Sequence, residues 1–145
     1  MIAVIQRVRE AEVCVGEKMQ SNIGRGILVL LGVKRGDDEA TARRLAERCM
    51  NLRIFEDEQG KFNHSLKDIG GEALIVSQFT LLADTSRGRR PSFSNAEEPK
   101  LAEVLYGSFI DAFTYSGITA RSGSFGDRMS VALVNEGPVT IILEE

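Results

Sequence analysis

Ala73-Leu74-Ile75-Val76-Ser77-Gln78-Phe79-Thr80-Leu81-Leu82 is the stretch around which the rest of the chain is read. Its first four residues are apolar without interruption, the pattern of a strand covered on both faces. The run then passes directly into a hydroxyl, an amide, a ring and a second hydroxyl. A buried strand that ends in small polar side chains holds its donors rigidly against a cavity wall, a good support for catalytic groups. The same residues also suit an ordinary core strand in which Ser77 and Thr80 bond to neighbouring backbone. A second stretch near the C-terminus decides between these readings.

On the N-terminal side, Ile2 to Val8, Ala11 to Val15 and Lys18 to Ile23 read as antiparallel strands, with turns expected at Arg9-Glu10 and Gly16-Glu17. Gly24-Arg25-Gly26 turns into Ile27-Leu28-Val29-Leu30-Leu31-Gly32-Val33, hydrophobic on both faces and therefore a central strand. Asp37 or Asp38 can cap a following helix, whose apolar positions Ala42, Leu45, Ala46, Cys49 and Met50 recur at helical spacing. Arg53 to Phe55, a turn at Asp57-Glu58-Gln59-Gly60 and Lys61 to Asn63 read as a short hairpin.

Past Leu82 the character changes. Asp84 to Phe93 is loop-like, and Arg87, Arg89 and Arg90 stand close to the ring of Phe93, a patch that suits phosphate or RNA backbone and equally suits a basic surface loop. A second helix is expected over about 99–116, with Leu101, Val104, Leu105, Phe109, Ile110 and Phe113 on its buried face and Gly117 ending it. Strands follow over 118–122, 128–134 and 139–143. The order of elements makes a single α/β domain over 1–145, with much antiparallel pairing.

The totals narrow the chemistry. The chain has 145 residues, 43% hydrophobic and 27% charged, with a formal net charge of −3. That balance argues against non-specific nucleic-acid binding, so RNA must be met by a local patch, and DNA is not expected as a partner. No apolar run approaches the roughly 18 residues needed to span a bilayer. Met1 to Arg7 has no basic segment followed by an apolar one, so neither a signal peptide nor a membrane partner is expected. Cys14 and Cys49 are far apart and form no CxxC, which points to reduced thiols in a cytoplasmic protein. With the single histidine His64 in a polar turn, a His-rich metal site is excluded; no metal and no cofactor are expected.

The second stretch is Asn135-Glu136-Gly137-Pro138-Val139-Thr140. Glycine before proline tolerates unusual backbone angles, and a tight turn would account for it alone. Paired with Ser77-Gln78-Phe79-Thr80-Leu81, however, it resembles the D-aminoacyl-tRNA deacylase family, whose two signatures are SQFTL and NxGPxT. Met1 to Val8, Gly26 to Gly32, Arg53-Ile54-Phe55 and Arg90 to Phe93 extend the resemblance along the chain.

This resemblance implies hydrolysis of the ester between a D-amino acid and the terminal ribose of tRNA, with glycyl-tRNA tolerated. It implies a three-layer β/β/α fold with barrel-like strands and two main helices, and a homodimer whose site lies between subunits. Ser77, Gln78, Phe79 and Thr80 would form the catalytic strand of one subunit. Gly137 and Pro138 of the other, joined by a cis bond, would screen the α-carbon with their backbone oxygens, and Arg7 would brace that turn. A non-catalytic module holding the tRNA acceptor end, and a general esterase using Ser77 or Thr80, are the alternatives. The ester is already activated by the neighbouring ribose hydroxyl. Thr80 is therefore expected to position the substrate or its oxyanion, with nucleophilic attack by Thr80 as the second possibility.

Overall fold

The apolar runs become strands in the computed structural model, which describes residues 1–86 and 88–145. Chain order runs β1 (Ile2–Val15), β2 (Lys18–Ile23), β3 (Gly26–Gly32), α1 (Glu39–Asn51), β4 (Phe55–Glu56), β5 (Phe62–His64), β6 (Glu72–Ser77), α2 (Pro99–Tyr115), β7 (Ala120–Ser122) and β8 (Met129–Glu144). Arg87, part of the arginine-rich loop, lies outside the described residues.

One mixed sheet carries the fold, in the order β2-β1-β3-β6-β7, with β8 on the other edge of β1. The strands that meet β1 are antiparallel, whereas β3–β6 and β6–β7 are parallel. The two ends of this path meet: Ser21 Oγ on β2 donates to the Ser122 carbonyl on β7 at 2.6 Å, so the sheet curls into a nearly closed barrel.

Alternation on β3 and β6 explains why both read as covered on two sides. Ile27, Val29, Leu31, Ala73 and Ile75 face α1 and α2, packing with Leu45, Cys49, Phe109 and Phe113. Leu28, Leu74 and Val76 point the other way, to a second cluster with Val8, Val13 and Ile23. Layered burial on both faces of the same strands is what a hydrophobic run without alternation dictates.

Several expectations change in the structure. The turn expected at Arg9-Glu10 is absent; β1 runs unbroken because β8 pairs along its whole length. The polar pair instead marks a register shift, and beyond it the other edge of β1 passes from β3 to β2. The strands expected at 128–134 and 139–143 are one strand, β8, with an irregularity between them. Leu101 and Val104 are 45% and 56% exposed, because Ala102 and Tyr106 take the inner face of α2 with Leu105, Phe109 and Phe113. Of the two aspartates before α1, Asp38 is the cap, its carboxylate accepting from Thr41 N–H, while Asp37 takes the N-terminal amine at 2.8 Å.

Candidate active site

β6 ends at Ser77, and the strand expected to continue to Leu81 gives way to a single 3-10 turn over Phe79–Leu82. The backbone explains the change. Gln78 N–H still bonds to the Leu31 carbonyl at 2.8 Å, and the chain then folds over Gly32 of β3. A Cβ on Gly32 would stand 3.3 Å from both the Gln78 carbonyl oxygen and Leu81 Cβ, so glycine there leaves the turn its room. The result lifts Phe79 and Thr80 out of the sheet: the Phe79 ring is 55% exposed and Thr80 is exposed.

Two features of this turn bear on chemistry. The side chain of Gln78 donates through Nε2 to Thr80 Oγ1, so the threonine hydroxyl acts as an acceptor. Among the described residues no base takes the Thr80 proton, which a threonine nucleophile would need. The N–H groups of Phe79 and Thr80 have no acceptor among the described residues, whereas those of Gln78, Leu81 and Ala83 do. Unpaired donors at the start of a helical turn are ordinary, and here they belong to an exposed segment.

Beside the turn is a cavity of about 550 Å³, whose walls include Ser77, Gln78, Phe79, Phe93, Phe125 and Met129. The Phe93 ring meets Phe79 edge-on at 5.0 Å, which ties the arginine-bearing loop to the SQFT turn. That loop is closed at its base by reciprocal backbone bonds between Asp84 and Ser92, and it leaves Arg89 and Arg90 exposed. Phe125 is held from behind. Its ring lies 5.7 Å from Tyr106, whose hydroxyl donates to the Ile75 carbonyl at 2.6 Å, and Gly123 N–H donates to the same oxygen at 3.1 Å. Burial pushes the Tyr106 phenol up to about 12, so it stays a neutral donor. Phe125, Met129 and Tyr106 were not singled out from sequence; the glycine-flanked Gly123-Ser124-Phe125-Gly126 was the one signal that a ring is presented there.

Asn135 to Thr140 form the irregularity in β8. A step of two residues on β1, Gln6 to Val8, is matched by a step of five on β8, Thr140 to Asn135. The surplus residues bow outward, leaving Gly137 and Pro138 exposed, with a cis bond between them and Gly137 at φ +143°. Side chains close the bow at its neck. Asn135 accepts from Val139 N–H at 2.7 Å and donates to the Val139 carbonyl and Thr140 Oγ1, each at 3.1 Å. This accounts for asparagine and threonine at the ends of the motif. Arg7, only 5% exposed, donates through Nε to the Glu136 carbonyl at 2.7 Å.

Within one chain the two motifs are not brought together. Among the described residues, the cavity walls include Ser77, Gln78 and Phe79 but not Thr80, Arg7, Gly137 or Pro138. Val131 of β8 does reach the cavity, yet Gly137 lies up to about 20 Å further along the same strand at ~3.3 Å per residue. His64 is exposed on β5. Among the described residues there is no cluster of metal-ligating side chains, and no helix is long and apolar enough to cross a membrane.

Comparison with known proteins agrees over nearly the whole length. The family model described as D-Tyr-tRNA(Tyr) deacylase matches residues 4–144. A D-aminoacyl-tRNA deacylase of Roseiflexus sp. (strain RS-1) is 58% identical over 144 residues, covering 99% of this chain and 93% of that one. One from Aquifex aeolicus (strain VF5) is 51% identical over 144 residues, covering 99% and 97%. The solved structure of a c-Myc DNA Unwinding Element Binding Protein superposes with a TM-score of 0.93 at 42% identity, covering 100% and 99%. A probable eukaryotic D-amino acid tRNA deacylase shares the fold, with a TM-score of 0.84 at 19% identity and coverage of 98% and 97%. The chain belongs to the D-Tyr-tRNA(Tyr) deacylase family.

Proposed function

We propose that this protein hydrolyses D-aminoacyl-tRNA, releasing the free D-amino acid and tRNA, and that it acts as a homodimer in the cytoplasm. The observation that carries the reading is the SQFT turn: two N–H groups without an acceptor among the described residues and an acceptor-engaged threonine, beside a cavity whose walls include three aromatic rings. Phe79, Phe93, Phe125 and Met129 suit an unstacked nucleobase, which the single-stranded acceptor end of tRNA offers and a DNA duplex does not. The DNA element in the name of one structural neighbour is therefore not carried over. Arg89 and Arg90, exposed on the loop that Phe93 ties to the turn, would meet the phosphates of the acceptor end.

In this reading the terminal adenosine enters the cavity and sets the ester carbonyl against the turn. Water attacks the carbonyl carbon, assisted by the ribose 2′-hydroxyl. The N–H groups of Phe79 and Thr80 hold the oxyanion, a contribution of about 3–4 kcal/mol at comparable sites. The C–O bond to the ribose 3′-oxygen then breaks, and that oxygen takes up a proton. Ser77 and Gln78 fix the frame, and Thr80 positions the substrate.

Selection of the D configuration is assigned to Gly137 and Pro138 of a second copy. Their exposed bow, fastened by Asn135 and Arg7, presents rigid backbone oxygens that obstruct an L side chain. An obstacle of this kind discriminates isomers that carry identical groups. Glycyl-tRNA has no side chain to obstruct, so it is also a substrate. The separation of the two motifs in one chain supports a second copy supplying the turn, as do the exposed apolar residues Phe79 and Ile142. The test is deacylation of matched D- and L-tyrosyl-tRNA by purified protein, alongside a simple ester lacking a neighbouring hydroxyl. Hydrolysis of the D-tRNA ester alone is expected. Binding without hydrolysis, or equal activity on the simple ester, would favour an acceptor-end binding module or a general esterase instead.

A further inference from the structure

Arg7 is held by more than the turn it braces. Its Nη1 donates to the buried Ile54 carbonyl at 2.7 Å, its Nη2 reaches Glu56 Oε1 at 3.4 Å, and its guanidinium carbon lies 5.2 Å from the centre of the Phe62 ring. Glu56 and Phe62 belong to β4 and β5, which among the described residues pair only with each other and form a sheet separate from the main one. The connecting turn is tightly built: Asp57 accepts from the N–H groups of Gln59 and Lys61 and from Asn63 Nδ2, and Gly60 sits at φ +74°. This small hairpin thus has a fixed shape, and its contacts with Arg7 enclose a guanidinium whose remaining hydrogen bond goes to Glu136.

From this geometry we infer that the β4–β5 hairpin, through Phe62 and Glu56, is a positioning device for the Gly137–Pro138 turn. Arg7 Nη2 stands 3.1 Å from where a Gly137 Cβ would be, so the guanidinium also packs against the turn. Phe62 covers it from solvent while itself remaining 50% exposed. Without that ring the guanidinium hydrates and swings, and the Glu136 carbonyl next to Gly137 loses its fixed donor. The inference rests on the proposed screening role of the turn, and it names residues outside both sequence motifs as determinants of D selectivity.

The experiment is the ratio of kcat/KM for D- over L-tyrosyl-tRNA in Phe62→Leu, Phe62→Tyr, Glu56→Ala and Arg7→Lys, with Tm measured for each and the double variant Phe62→Leu/Arg7→Lys. Phe62→Leu is expected to lower the ratio by about two- to ten-fold, the worth of a partly exposed cation–π contact, with KM for tRNA little changed. Phe62→Tyr keeps the ring and the parent ratio. Glu56→Ala lowers the ratio in the same direction, and the double variant falls no further than Arg7→Lys alone. A Phe62→Leu ratio equal to the parent's, or one lowered equally by Phe62→Tyr, would overturn the positioning role. If Arg7→Lys itself leaves the ratio intact, bracing by Arg7 and the hairpin's role with it are overturned. Pro138→Ala, which alters the turn itself, tells the other failure apart, since a parent ratio there overturns the screening role.

Discussion

Thr80→Ala separates two chemistries by orders of magnitude. In the structure the Thr80 hydroxyl accepts a hydrogen bond from Gln78 Nε2, and no base among the described residues takes its proton. The substitution therefore removes one side-chain bond at an exposed position, worth about 0.5–1.5 kcal/mol net. At 1.36 kcal/mol per decade this slows deacylation by roughly two- to thirteen-fold. The N–H of residue 80, the proposed oxyanion donor, is untouched. Removing a true nucleophile would instead cost on the order of 10⁴ or more in kcat. The assay is single-turnover deacylation of D-tyrosyl-tRNA by rapid quench, with circular dichroism and light scattering to confirm an intact fold and assembly. A substrate ending in 2′-deoxyadenosine should be hurt more than the wild-type substrate is by the mutation. A fall beyond roughly 10³-fold, or a covalent acyl-enzyme trapped by acid quench, would make Thr80 the nucleophile.

Gly137→Ala places a Cβ at φ +143°, 2.8 Å from Val139 Cγ2 and 3.0 Å from Val139 N. Strain of about 1–3 kcal/mol is expected at the bow, read as lower D-substrate turnover with a modest fall in Tm; unchanged turnover would mean the bow is not at the site. Replacing Arg89 and Arg90 by Ala should raise KM for tRNA and reduce the slope of log KM against log salt by roughly 1–2, whereas an unchanged slope would make the loop mere surface. Acid should destabilise the fold through carboxyls held below their ordinary range. Asp38 is lowered chiefly by the Thr41 hydroxyl and Glu145 chiefly by Arg48. A folded-state pKa below the unfolded one contributes stability that is complete above the ordinary values of 3.8 and 4.5 and drains away as pH falls through the lowered ones. Urea midpoints should thus be level from about pH 7 to 5 and fall below about pH 4, more shallowly in Asp38→Asn; a midpoint rising from pH 5 to 3 would contradict the sign.

The central strands were legible because a covered strand leaves a plain record: Ile27 to Leu31 and Ala73 to Val76 are apolar at every position, whichever face they present. Their parallel pairing was not legible, since register is set by partners distant in sequence. Arg9-Glu10 looked like a turn because this polar pair interrupts the alternation, yet strand pairing with β8 on the other edge carries β1 through without a break. Leu101 and Val104 outweighed Ala102 and Tyr106 on hydrophobicity alone, although the smaller residue and a ring with a polar tip fit the inner face better. At the site, the two motifs stood out as unusual strings, but the cavity walls did not. Phe125 and Met129 reach Ser77 only because the sheet curls, and Phe62 reaches Arg7 only because a separate hairpin folds over β1.

A mixed dimer shows whether Ser77 to Thr80 of one copy work with Gly137-Pro138 of another. Thr80→Pro deletes an oxyanion N–H in one chain, and Gly137→Val obstructs the bow in the other. Each variant alone should be nearly inactive on D-tyrosyl-tRNA. Co-expressed with different tags and purified through both, the mixed dimer holds one site with both halves intact, so it should regain about half the parent's activity per dimer. A mixed dimer as inactive as its two parents would contradict a site shared between subunits.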